Sequence, residues 1–379
     1  MVSKTARLSW AIVLMLCLGT ASVFAAVDEG RQVGPESAAY QQAIEQAVGF
    51  LKQAQSEDGS YSSEAGPGIT AIVATAMLRN GQTPDDPHVA KTLTYLEGFI
   101  HDDGGIYAPE SRYQNYETSL AILCFAAANR DGRYDEILRK AEAFDKKIQW
   151  DGDEGYDESS MSYGGAGYGS HSRPDLSNTS FLIESLRAAG AEADDPALEK
   201  ALVFVSRCQN LESQYNTTEF AGKVNDGGFY YTIAAGGSSQ AGTTPDGGLR
   251  SYGSMTYAGL KSMIFCGVGT DDPRVKAAYE WARKHYTLAE NPGMGADGMY
   301  YYFHTFAKAL DTVGDNTLVD ASGTSHDWRR ELAERLFELQ KSDGSWANTS
   351  ERWLESDPNL ATAYSLLALS YCEPSAGRP

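Results

Sequence analysis

Apolar residues recur along the chain in two alternating styles. In one, typified by Ile44, Ala47, Val48 and Leu51, they fall at i, i+3, i+4 and i+7, which describes a helix that buries one face. In the other, typified by "ITAIVATAML" from Ile69 to Leu78, they occupy most sides, which describes a helix packed all round. No stretch carries a convincing period-two strand pattern.

A short polar signature separates the two styles: Asp-Gly, then Gly or Ser and an aromatic. It stands at Asp58 (DGSY), Asp103 (DGGIY), Asp226 (DGGFYY), Asp297 (DGMYYY) and Asp343 (DGSW), with a looser copy, DGDEGYD, from Asp151. Six copies predict six repeats, each an outer amphipathic helix, a turn and an inner buried helix. Three links, GQTPDDPHV from Gly81, GAEADDPAL from Gly190 and GVGTDDPRV from Gly267, predict the helix boundaries. In each, Gly ends one helix in the left-handed conformation, the second Asp caps the next helix, and Pro takes its first position, where no amide hydrogen is needed. An open stack of such hairpins needs polar capping repeats at its ends. The last helix, NLATAYSLLALSYC, is instead as apolar as any inner one. The expected fold is therefore all-α, an α/α toroid of about six helix hairpins in one domain over 36–373, preceded by a short segment, 26–35, and followed by a tail, 374–379.

The N-terminus changes the picture of where this toroid works. Lys4 and Arg7 precede an apolar run from Ala11 to Leu18, then Val23 and Ala25 stand where a signal peptidase reads small residues. Export with cleavage after Ala25 is expected, to a periplasm or outside the cell. The apolar run is too short for a stable membrane span, and Leu16 before Cys17 argues against a lipoprotein site. A net charge of −20 disfavours nucleic acid, anionic polysaccharide and anionic lipid as partners. Cys124, Cys208, Cys266 and Cys372 lie in or beside apolar helical segments without any CxxC pair, so buried free thiols are expected, although export leaves one or two disulfides open.

The segments "FLKQAQSEDGSY" (Phe50 to Tyr61) and "LFELQKSDGSW" (Leu336 to Trp346) resemble the QW repeats of squalene and hopene cyclases, which share their toroid with prenyltransferase β-subunits. Gln55, Gly59 and Tyr61 match Gln340, Gly344 and Trp346 in spacing, and Gln149 and Gln209 begin interrupted copies. The resemblance implies that each glutamine hydrogen-bonds at a neighbouring helix end. It also implies where chemistry would sit. The cyclases protonate an alkene or epoxide with the middle Asp of a DxDD motif; in "PDLSNTSFLIESL" Asp175 matches the first acid, while Ser177 and Asn178 stand where the later acids belong. A hydroxyl and an amide cannot deliver so strong an acid's proton. The prenyltransferases hold zinc with Asp, Cys and His; here Arg250 and Tyr252 stand in the first two places and only His304 matches. No metal site and no cofactor is expected.

Residues near the starts of the inner helices would meet a ligand at one mouth of the barrel. Asp175, His304 and Tyr252 are the catalytic candidates, and Tyr116, Glu117, Asn178, Arg250, Tyr301 and Asp357 the ligand-binding ones. Each has a plainer alternative: Asp175 as a helix cap, His304 as a hydrogen-bonded core residue, Arg250 as the partner of Glu117 or Asp357. The acidic loop at Asp151, Asp153 and Asp157 either binds calcium or is a solvated turn. Two Gly-rich insertions, one carrying His171, are expected to fold over the cavity.

Three functions compete on these grounds. The favoured one is an exported toroid whose cavity binds an apolar or isoprenoid-like molecule, or whose rim binds a protein, without cyclase chemistry. The others are a divergent terpenoid cyclase using Asp175, and a polysaccharide lyase or hydrolase on the same barrel with Tyr252 or His304 as acid or base and Arg250 as charge stabiliser. Oligomeric state is not legible.

Overall fold

Alternation between one-sided and all-round burial produces two concentric sets of helices in the computed structural model, which describes residues 32–169 and 172–376. The signal segment, Cys17 and His171 lie outside the described residues. In chain order the helices are α1 (Ser37–Ala54), α2 (Pro67–Arg79), α3 (Pro87–Glu97), α4 (Gln114–Ala128), α5 (Asp135–Lys147), α6 (Leu176–Ala189), α7 (Pro196–Arg207), a one-turn α8 (Ala221–Val224), α9 (Gly253–Phe265), α10 (Pro273–Lys284), α11 (Met299–Val313), α12 (Trp328–Leu339) and α13 (Pro358–Leu369). The inner set is α2, α4, α6, α9, α11 and α13; each packs on the next, and α13 packs on α2, closing the ring. The expected α/α toroid is the architecture found.

Burial follows the two styles. In α1 the buried residues are Tyr40, Ala43, Ile44, Ala47, Val48 and Leu51, a single stripe, whereas in α2 every residue from Pro67 to Leu78 is buried. The segments flanking the toroid are tied together: β1 (Gln32–Val33) pairs antiparallel with β4 (Ser375–Ala376). A second small ladder, β2 (Leu318–Val319) with β3 (Ser325–His326), joins α11 to α12. Cys124, Cys208, Cys266 and Cys372 are buried free thiols.

The linkers behave as their residues dictate. Asp86, Asp195 and Asp272 accept from the amides of His88, Ala197 and Arg274 at 3.0, 2.9 and 2.8 Å, each ahead of a Pro at the helix start.

In five of the six repeats one set of contacts recurs; the turn at Asp297 departs from it, its aspartate being engaged by Ser350 and Arg352. The aspartate of the signature accepts a backbone amide two residues on, as Asp58 does from Ser60, Asp103 from Gly105, Asp226 from Gly228 and Asp343 from Ser345, each at 3.0 Å. The residue after that aspartate is a glycine of positive φ lying against an outer helix; in the third repeat the DGDEGYD copy supplies no such glycine, since Gly152 and Gly155 meet no atom within 4 Å, and Gly164 takes the place instead. A Cβ on Gly59, Gly104, Gly164, Gly227 or Gly344 would stand 2.5, 2.5, 1.9, 2.6 or 2.4 Å from the carbonyl oxygen of Lys91, Lys140, Lys200, Ala277 or Gln46. A threonine from the inner helix then clamps the turn. Thr70, Thr118, Thr179, Thr256 and Thr362 each accept, at 3.0 Å, the backbone amide of Tyr61, Ile106, Ala166, Phe229 and Trp346 respectively.

Four glutamines lock one repeat to the next. Gln55 Nε2 donates to the carbonyls of Gly59 and His88 (3.3 and 2.9 Å), Gln149 to Gly164 and Ala197 (2.8 and 2.9 Å), and Gln209 to Gly227 and Arg274 (2.9 and 2.8 Å). Gln340 donates to Gly344 and to Ala43 in α1 (3.0 and 2.9 Å), so the last repeat is fastened to the first. The interrupted copies at Gln149 and Gln209 are thus working ones.

The glycine contact is open to measurement. Gly344→Ala is expected to lower unfolding free energy by roughly 3 kcal/mol or more in chemical denaturation, because strain and a backbone clash combine. Gly314→Ala shares the left-handed φ (+91°) but meets no atom within 4 Å, and should cost only about 1 kcal/mol. Equal losses in the two variants would show that the contact with Gln46 contributes nothing.

Candidate functional site

The inner helices start at one end of the barrel and finish at the other, and each end holds a cavity. At the N-terminal ends lies a space of about 750 Å³, lined among others by Tyr116, Tyr168, Ser177, Tyr231, Tyr252, Tyr301 and Tyr364. At the C-terminal ends lies one of about 680 Å³, lined among others by Arg79, Glu184, Arg187, His304 and Lys308. Phe181 and Tyr364 line both, so these two rings form the partition between them.

Aromatic contacts hold the floor of the first cavity. Tyr116 meets Phe181 edge-on with centroids 5.5 Å apart, Phe181 meets Tyr301 at 6.1 Å, and Tyr301 meets Tyr364 at 5.8 Å. Tyr168 comes from the first insertion and Tyr231 from the second, so both insertions do fold over this end. Burial pushes the Tyr116 hydroxyl up to about 12 and raises those of Tyr252 and Tyr301 still further, so all three are neutral phenols at ordinary pH. The Tyr301 hydroxyl is 3.0 Å from Ser177 Oγ.

Of the residues singled out in the sequence, Tyr116, Glu117, Tyr252 and Tyr301 line this cavity. Asp175 stands behind its wall as the N-cap of α6. Its Oδ1 accepts the Asn178 amide at 2.9 Å and its Oδ2 the Asn178 side-chain amide at 2.8 Å. Asn178 is thereby turned to its own cap and away from the lumen.

Three further placements correct the sequence reading. Arg250 is exposed on the second insertion, its Nε donating to the Thr243 carbonyl at 3.1 Å; it meets neither the cavity, Glu117 nor Asp357. Asp357 is spent as the cap of α13, accepting the Asn359 amide at 2.8 Å outside the cavity lining. His304 lies deeper along α11 than Tyr301, beyond the partition, and lines the second cavity. Burial lowers its imidazole well below the usual histidine range, helped by the charges of Lys308, Lys261 and Arg79. Tyr252, His304 and Arg250 are therefore not assembled into one site. The acidic loop is a turn: Asp151 caps the short 3₁₀ segment Gly152–Glu154 and pairs with Lys200, and Asp157 accepts the Ser159 amide at 2.9 Å.

Glu355 escaped the sequence reading because its role is set by a different repeat. It is buried, and it accepts the amides of Tyr301 (2.8 Å) and Tyr300 (3.2 Å) at the start of α11 and the side chain of Asn348 (2.7 Å). Glu117 likewise accepts the Ala108 amide at 2.9 Å. Burial raises both carboxyls. At the mouth, Tyr113, Trp353 and Leu354 are large apolar side chains exposed to solvent, and Trp353 and Leu354 hold left-handed φ values of 55° and 63°.

Residues 63–235 match the family model of the squalene-hopene cyclase C-terminal domain. No curated protein sequence matches the chain. Among solved structures, the type II terpene cyclase MstE from Scytonema, in its apo form, aligns with a TM-score of 0.51 at 15% identity, over 89% of this chain and 98% of that one. A protein from Actinoplanes gives 0.51 at 14% identity over 88% and 99%, and a wild-type glycosidase gives 0.52 at 12% over 89% and 97%. These likenesses concern the fold.

Burial raises the Asp175 carboxyl from 3.8 to about 6. Between those values the folded protein keeps a proton that the unfolded chain has lost, so this group makes stability fall as pH rises through that window. Asp175→Asn is expected to remove a fall of up to about 3 kcal/mol, seen as the difference between variant and parent in urea unfolding from pH 4 to 7. Parallel profiles for the two proteins would show that Asp175 titrates alike folded and unfolded.

Proposed function

We propose that this toroid of the squalene/hopene cyclase and prenyltransferase β-subunit superfamily is an exported binding protein that holds a neutral apolar molecule of isoprenoid kind in its aromatic cavity and does not cyclise it. The observation that carries the reading is the apolar mouth of Tyr113, Trp353 and Leu354 leading to a tyrosine- and phenylalanine-walled space of about 750 Å³. Volumes of this order suit ligands of drug size. Acids at the mouth, Glu64 and Glu110 beside Glu117 and Glu355, disfavour an anionic occupant. The fold shared with a type II terpene cyclase agrees with an isoprenoid one.

The case against cyclisation rests on acidity and position. Asp175 does not line the cavity, both its oxygens accept hydrogen bonds from Asn178, and a carboxyl raised to about 6 is too weak an acid for an alkene. The residue that does face the cavity is Ser177. Glu117 and Glu355 lend some support to hydrolysis on the same barrel, since glycosidases use paired carboxyls. Both, however, are engaged by backbone amides, Glu117 by that of Ala108 in the turn before α4 and Glu355 by those at the start of α11, which makes them structural acceptors.

Geranylgeraniol tests the reading. Native mass spectrometry is expected to show one molecule bound per chain, recovered unchanged on extraction, and Ser177→Trp should weaken binding by about tenfold or more by filling the cavity. Recovery of a cyclised product would sink the absence of chemistry, and failure of the unaltered protein to bind would sink the ligand class.

A further inference from the structure

The second cavity gathers positive charge in a chain whose net charge is −20. Glu184 is buried between two lysines, Lys261 and Lys308, and Lys261 Nζ also donates to Ser180 Oγ at 2.6 Å. The carboxylate can neutralise one of them. Arg79 and Arg187 stand at the mouth, and neither has a carboxylate partner among the described residues. Arg79 lies over the Tyr371 ring at 4.5 Å with its Nε donating to Ser370 Oγ, and Arg187 donates to the Ala191 carbonyl. The other lining acid, Asp311, is taken by Arg329 at 2.8 Å.

Helix polarity explains part of this arrangement. Arg79 and Arg187 occupy the last turns of α2 and α6, where cations offset the carbonyl ends. It does not explain Lys261 and Lys308, which lie in the interiors of α9 and α11. Nor does it explain His304, which is 5% exposed and lines the cavity with a buried Nδ1 lacking any hydrogen-bond partner. A buried polar atom without a partner is costly, so the cavity wall at His304 carries a cost that the protein alone does not relieve. The opposite wall is apolar: Ile72 from α2, Leu120 and Leu123 from α4, and Leu367 from α13.

We propose that this cavity is a binding site for an organic anion with an apolar body, whose carboxylate or phosphate head is held by Lys308, Arg79 and Arg187 against His304 while its body lies on Leu120, Leu123 and Leu367. The site is separate from the aromatic cavity and takes an anion, which the acids around that first cavity disfavour. Burial lowers the ammonium pKa of both lysines, and an anion held beside Lys308 and the two arginines keeps Lys308 in its charged form.

Calorimetric titration of dodecanoate, dodecyl phosphate and dodecanol into the full protein tests this. At least one anion is expected to bind about tenfold or more tightly than dodecanol, and Lys308→Met and Arg79→Gln should each weaken that anion about fivefold or more without changing dodecanol. The ranking of the two anions separates a carboxylate head from a phosphate one. Arg79→Gln alters an exposed residue at the mouth, so it decides the matter even where Lys308→Met does not fold. Dodecanol binding as well as the anions, no anion binding, or anion affinity untouched by Arg79→Gln would overturn the proposal. Neither altered residue lines the aromatic cavity, so the geranylgeraniol result is independent.

Discussion

A side-chain amide shared between two carbonyls holds this barrel together. Gln55, Gln149, Gln209 and Gln340 each join the glycine turn of their own repeat to the first turn or so of the next outer helix. The helix-start carbonyls already accept from their own helix and use a second lone pair here, so what the lock satisfies is the buried glutamine amide, whose loss of partners would cost more than the modest net value of an ordinary hydrogen bond. The glycine makes the approach possible, because any Cβ there would overlap the facing carbonyl. Gln340 to Ala43 turns a row of hairpins into a ring, and a ring needs no polar capping repeat.

Closure also fixes the electrical polarity of the lumen. Every inner helix runs the same way, so one mouth is ringed by amide ends and the other by carbonyl ends. Acidic side chains collect at the first, where Glu117, Glu355 and Asp175 accept amides, and basic ones at the second, where Arg79 and Arg187 end their helices. Phe181 and Tyr364 divide the two, so one barrel carries two chemically opposed cavities.

The repeats were legible because each lock needs particular residue types at fixed spacing: Asp for the turn, Gly for the left-handed φ, Gln to span two carbonyls. The clamping threonines were not, since Thr70 or Thr362 within an apolar run reads as ordinary core until its amide partner in the preceding turn is known. The site was legible in its membership and less so in its geometry. Tyr116, Tyr252 and Tyr301 face the cavity as their helix positions suggested, but one more turn along α11 carried His304 past the partition. Arg250 was misjudged for a different reason. Its insertion folds back on itself through the bridge between Thr243 and Leu249, a local turn that no alternating strand pattern announces.

The proposed absence of cyclisation draws on the surroundings of position 177 as well as on the side chain there. A donor strong enough for an alkene needs its conjugate base stabilised by nearby cations or by several hydrogen-bond donors. At position 177 the nearest group is the Tyr301 hydroxyl, and among the described residues lining this cavity Arg112, exposed at its mouth, is the one cation. An aspartate placed at that position would sit on an aromatic floor with its burial uncompensated, so its pKa would rise and its acidity would fall. The tyrosines, the capped Asp175 and the amide-bound glutamates form one consistent environment, and it is this environment that supports the proposal of a neutral guest over that of a carbocation.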